Sequence, residues 1–168
     1  MAKQAQRGVT LLELLLVVTL VALMAGLALP SFSGGMDTLR LRSAAGSVAG
    51  ALNYALRTAE RRQLPVELTL APARGAVLVR TATSPTPQTF ALPAGIRLGR
   101  ILPSLFAQEL SAERVLILDP QGAPPALLIE LLTPAGKARY VRLDPLTNSA
   151  RVVEAVEGNF VGEFDAKR

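Results

Sequence analysis

From residue 9 to residue 29 the chain is almost unbroken apolar sequence, Val-Thr-Leu-Leu-Glu-Leu-Leu-Leu-Val-Val-Thr-Leu-Val-Ala-Leu-Met-Ala-Gly-Leu-Ala-Leu. At about 1.5 Å of rise per residue, roughly 20 such residues make a helix that matches the ~30 Å hydrocarbon core of a bilayer. A single membrane crossing is therefore expected. Residues 1–8 carry Lys3 and Arg7 and no acid, and residues 31–36 carry no charge. Basic residues stay on the cytoplasmic side. The N-terminus is thus expected in the cytoplasm and the remainder across the membrane.

Glu13 is the only charge in this stretch. An ionised carboxylate inside a bilayer costs several kcal/mol unless it has a partner or reaches the interface. One way to satisfy it is to snorkel to the interface. Another is to pair with a positive charge from a second chain. If the chain were cut before Val9, the new amine would lie about one helical turn, roughly 6 Å, from the carboxylate. The amine of a staggered neighbour could serve as well.

The segment Arg7-Gly8-Val9-Thr10-Leu11-Leu12-Glu13, followed by the apolar run, resembles the prepilin class III signal of type IV pilins and type II secretion pseudopilins. This resemblance implies cleavage by a prepilin peptidase after Gly8, methylation of the new terminus at Val9, and an assembly role for Glu13. The family usually has Phe where this chain has Val9. A competing reading is an ordinary secretory signal, with Ala25, Gly26 and Ala28 imitating its cleavage site. The apolar region of such a signal is only about 7–15 residues long. The run here is longer, and Glu13 would be out of place in it.

Beyond the run, Pro30 with Ser31, Ser33, Gly34 and Gly35 is expected to bend or melt a helix locally, since proline removes a hydrogen bond. Helical spacing resumes at Asp37, a plausible N-cap. Leu41, Ala44, Ala45, Val48, Leu52, Ala55, Leu56 and Ala59 then recur at three- and four-residue steps. Gly46 and Gly50 border this stripe, where small residues would allow close packing on a sheet. Leu64-Pro65 ends the pattern. Period-two segments follow at residues 66–70, 76–80, 90–92, 96–101, 114–119, 126–132, 138–144 and 150–156, separated by turns such as Pro134-Ala135-Gly136-Lys137 and Asn148. Residues 102–113 and the tail from 157 show no clear pattern. The expected class is α+β: a long helix, transmembrane in one half and amphipathic in the other, packed on antiparallel β-sheets made by a meander of short strands. The divisions expected are a leader at 1–8, a membrane helix at 9–29, a stalk helix at 30–62 and a β-rich head at 63–168.

The later part of the chain also resembles the GspH family of minor pseudopilins and the FimT/FimU-type minor pilins. The residues that carry this are Tyr54-Ala55-Leu56-Arg57-Thr58-Ala59-Glu60-Arg61-Arg62, Pro65-Val66-Glu67-Leu68 and Leu92-Pro93-Ala94-Gly95-Ile96. Leu118-Asp119-Pro120-Gln121-Gly122, Leu143-Asp144 and Arg151-Val152-Val153 complete the set. The resemblance implies a structural subunit of the periplasmic pseudopilus, anchored in the bacterial inner membrane. Its partners would be the prepilin peptidase and other pseudopilins. The alternative within the same resemblance is a minor type IV pilin active in pilus assembly or DNA uptake.

Composition narrows the chemistry. With no Cys and no His among 168 residues, thiol nucleophiles, disulfides, the usual zinc ligand sets and the neutral-pH proton shuttle are excluded. No phosphate-binding or dinucleotide glycine motif is present. Asp119 and Asp144 precede prolines at strand ends, where acids commonly serve turns. Glu157, Asn159, Glu163 and Asp165 could offer oxygens to a hard cation, but their spacing matches no calcium loop. Neither metal nor cofactor is expected, nor a catalytic residue or a small-molecule substrate. The net charge of +5 comes from arginines spread from Arg40 to Arg168, so nucleic acid is not the expected partner.

Overall fold

The computed structural model describes residues 10–84, 86–103 and 112–154, and side chains within these except 27–34. One helix, α1 (Leu11–Arg62), is followed by eight strands: β1 (Val66–Ala71), β2 (Ala76–Thr81), β3 (Gln88–Ala91), β4 (Arg97–Leu102), β5 (Arg114–Leu118), β6 (Leu127–Leu132), β7 (Ala138–Asp144) and β8 (Ser149–Val153). The chain divides into two compact units, residues 1–37 and 38–168.

In the first unit, α1 begins at an N-cap. The N–H of Glu13 donates to the Thr10 carbonyl at 3.1 Å and to Thr10 Oγ1 at 3.3 Å. Thr10 and Glu13 hold the first and last places of a capping box. Two expectations are corrected here. Helical structure runs on through Pro30, so the local melting expected there does not occur; one lost backbone hydrogen bond is tolerated where helical neighbours on both sides keep theirs. Asp37 consequently lies within the helix and is not its N-cap.

In the second unit, one apolar core joins the helix to both sheets. Leu41, Val48, Leu52 and Leu56 with six alanines of α1 meet Val66, Leu68 and Leu70 of β1, Leu127, Ile129 and Leu131 of β6, and Val141 and Leu143 of β7. Every member of the stripe read from the sequence is buried. The alanines keep the helix surface thin, so side chains from the sheets fill the space. Gly46 and Gly50 depart from expectation. Both are exposed, and a Cβ at either position would meet nothing within 4 Å. They lie opposite the core and take no part in sheet packing. The helix ends at Arg62 because Gln63 turns left-handed, at φ 53°, before Pro65 can disrupt it.

The strands form two antiparallel four-stranded sheets, ordered β3-β2-β1-β5 and β4-β6-β7-β8. The helix on antiparallel sheets is as expected, but the strand order is not a simple meander. The chain leaves the first sheet after β3, contributes β4 to the second, and returns to place β5 beside β1. Pairing of Leu68 with Leu116 and of Val66 with Leu118 turns apolar side chains of β5 toward the core. The β7–β8 connection closes on Asn148, left-handed at φ 46°, as the turn reading required. Residues 104–111 and the tail from 155 lie outside the described residues.

Candidate functional site

The N-terminal part of α1 is unlike a helix built for water. Its large apolar side chains from Leu11 to Met24 are each between 53% and 87% exposed. They lie all round the helix, with no polar face to meet solvent. Even Thr19 is turned inward on its own backbone, its hydroxyl donating to the carbonyls of Leu15 at 2.9 Å and Leu16 at 2.8 Å. Among the described residues no helix is long and apolar enough to cross a membrane. The side chains described in this stretch stop at Gly26, short of the apolar run's end at Leu29.

Glu13 sits in the first turn of this helix. An acid there interacts favourably with the helix dipole, whose positive end is the N-terminus. Its backbone N–H is committed to Thr10. Its carboxylate has no hydrogen bond or ion pair among the described residues. Gly8 and Val9, the expected cleavage and methylation positions, lie outside the described residues. Thr10 was not singled out as a cap from the sequence, although the spacing Thr-x-x-Glu ahead of an apolar run is its signature.

Among the described residues of the head, the buried Glu130 gathers a polar cluster that the sequence reading missed. Glu130, on β6, accepts hydrogen bonds from the Arg100 N–H and Nε at 3.2 Å each, from Arg100 Nη2 at 3.3 Å and from the Tyr140 hydroxyl at 3.1 Å. Burial alone would push this carboxyl upward. The hydrogen bonds and charge of Arg100, helped by Tyr140, outweigh it and hold the group below the usual carboxylate range. Tyr140 is raised by burial and by the neighbouring carboxylate, and Arg100 by its bonds to Glu130. A four-bonded carboxylate has little lone-pair capacity left for catalysis, so the cluster is a cross-strand tie. The signal that could have found it was a single acid inside Leu-Leu-Ile-Glu-Leu-Leu.

Arg114 is buried, at 7% exposure. Its Nη1 donates to the carbonyls of Ile101 at 3.3 Å and Pro103 at 2.8 Å, which ties β5 to the end of β4. Burial lowers its affinity for its proton. Asp119 and Asp144 end strands of different sheets. Asp144 Oδ1 accepts from the Leu146 N–H at 2.9 Å, and Oδ2 from Arg151 Nη2 at 3.4 Å. That backbone bond leads the causes that lower its carboxyl, and the residue holds its turn. Glu157, Asn159, Glu163 and Asp165 lie outside the described residues. Among the described residues no group of three potential metal ligands occurs.

Residues 3–29 match the prokaryotic N-terminal methylation motif. Over 48 residues at its N-terminal end the chain is 50% identical to type II secretion system protein H of Xanthomonas campestris pv. campestris. The aligned stretch is 29% of this chain and 28% of that protein. No solved structure matches the chain. The two matches support a pseudopilin similar to protein H, over the segment they cover. That segment contains the capped, exposed apolar helix.

Proposed function

We propose that this chain is a minor pseudopilin, a structural subunit of a type II secretion pseudopilus. The observation that carries this reading is the helix surface from Leu11 to Met24, apolar all round, exposed, and interrupted by one acid, Glu13, whose carboxylate has no partner among the described residues. Left in water, such a surface would be strongly unfavourable, at about 25 cal/mol per Å² of apolar area. A bilayer covers it before assembly, and the helices of neighbouring subunits cover it afterwards.

The sequence of events follows from the residues. Lys3 and Arg7 hold the leader on the cytoplasmic side of the inner membrane while residues 9–29 span it. Prepilin peptidase cuts between Gly8 and Val9, and the Val9 amine is methylated. Cleavage leaves a single residue ahead of the Thr10 cap, so the new cation stands at the start of the helix. There it is within reach of the Glu13 carboxylate of its own chain or of a staggered neighbour. The helix dipole favours the acid and opposes the cation at this end, and the pairing offsets that opposition. The head, facing the periplasm, makes lateral contacts. The chain is then a substrate of an enzyme and not itself one.

Substitution of Glu13 tests this directly. Glu13→Ala is expected to be cleaved normally and to enter the fibre poorly, as read by crosslinking to neighbouring pseudopilins in intact cells followed by immunoblotting. Normal incorporation would remove the pairing role. Secretion that survives deletion of the gene, together with loss of surface pili, would favour the type IV pilus instead.

A further inference from the structure

Strand β4 carries a bulge. Leu98 pairs with Leu131 and Ile101 with Ile129, so Gly99 and Arg100 together oppose Glu130. In a regular strand, residues three apart face opposite sides of the sheet. The extra residue returns Arg100 to the face that Arg97 already occupies opposite Leu132. Gly99 is what makes this possible. A Cβ there would fall 2.8 Å from Glu130 Oε2 and 2.9 Å from Leu132 Cδ1.

These residues line one side of an open groove of about 510 Å³, and Pro72 and Ala73 of the β1–β2 turn line the other. Volumes of this order hold several side chains or a small ligand. The Glu130 carboxylate is spent on Arg100 and Tyr140. Arg97 is exposed and makes no hydrogen bond or ion pair among the described residues. An apolar floor of Pro72, Ala73 and Leu132 thus meets a rim with an excess of positive charge. β4 is also an edge of its sheet.

We propose that this groove binds an extended acidic segment of a neighbouring protein in the assembly, with an aliphatic side chain on the Pro72–Leu132 floor and a carboxylate on Arg97. Charge complementarity selects this occupant over a basic or neutral one. The assembly role proposed above supplies only the source of the segment, and binding is measured apart from it.

The full chain in detergent micelles, titrated with the capped peptide Asp-Leu-Asp-Leu, is expected to show saturable NMR shifts at the Gly99 amide and the Leu98 and Leu132 methyls. A dissociation constant of about 1 mM, weakening as salt is added, is the anticipated range. The lysine analogue Lys-Leu-Lys-Leu should give no saturable shift. Arg97→Glu, a change at an exposed position, should weaken the acidic peptide several-fold and leave the thermal midpoint unchanged. Equal response to both peptides, or none to either, would overturn the proposal. Self-association of the peptide-free chain that disappears in Arg97→Glu would assign the groove to a second copy and overturn it too.

Discussion

Asn53 on the helix and Ala150 on the last strand exchange two hydrogen bonds. Asn53 Nδ2 donates to the Ala150 carbonyl at 2.9 Å, and the Ala150 N–H donates to Asn53 Oδ1 at 2.9 Å. The side-chain amide offers what a neighbouring strand would offer. At Ala150 the edge of β8 is thereby satisfied by the helix, across 97 positions of sequence. Asn53→Ala would strand both backbone groups where water reaches them poorly. A loss of about 1–3 kcal/mol is expected, read as a lower urea midpoint of the full chain. An unchanged midpoint would show that the pair contributes nothing.

Gly99 and Glu130 make a second prediction. Gly99→Ala must displace the carboxylate from its four hydrogen bonds or shift the bulge, at a cost of about 1–3 kcal/mol. Alanine at Gly136, where a Cβ would meet nothing within 4 Å, tests a different effect. There the backbone is left-handed, at φ 80°, so any cost is backbone strain. A thermal shift for Gly99→Ala that leaves the Tyr140 environment unaltered, judged by tyrosine fluorescence, would contradict the account.

The same carboxyl sets a pH dependence. Arg100 and Tyr140 hold Glu130 below its unfolded value despite burial. Its contribution is therefore present above the ordinary carboxylate range and is lost as pH falls through the lowered folded value. Wild type should exceed Glu130→Gln in stability at neutral pH. The gap should close on acidification in paired chemical denaturation curves. A gap that widens toward low pH would reverse the assigned sign.

Gly46 and Gly50 carry a helix through positions where side chains would find open space. Alanine at each should stabilise the head by about 0.5–1 kcal/mol, from helix propensity alone. Additive rises in thermal midpoint would check this. A fall would mean that a contact forms there in the isolated chain.

Much of this fold was legible because it repeats locally. The stripe from Leu41 to Ala59 keeps helical spacing, and residues such as Val66, Leu68 and Leu70 alternate as a half-buried strand must. Strand partners were not legible. β4 and β5 are adjacent in sequence yet belong to different sheets, and no local period says which edge a strand will join. At Pro30 the expected melting failed because the cost of proline was weighed without the long helix on either side of it. Gly46 and Gly50 misled because small residues at the border of an apolar stripe fit either face. Glu130 was visible as an anomaly, but its partners stand on two other strands. At the N-terminus, the apolar run and the lone Glu13 announced the helix's unusual surface, while the Thr10 cap went unread although its spacing was there.

The account depends most on the terminus at Val9. Intact-mass and N-terminal peptide mass spectrometry of the protein, purified from a host with an active prepilin peptidase, measures it directly. The predicted result is a chain that begins at N-methylated Val9, with residues 1–8 absent. A protein that keeps its leader through Gly8, or one that begins near Leu29, would contradict the assignment.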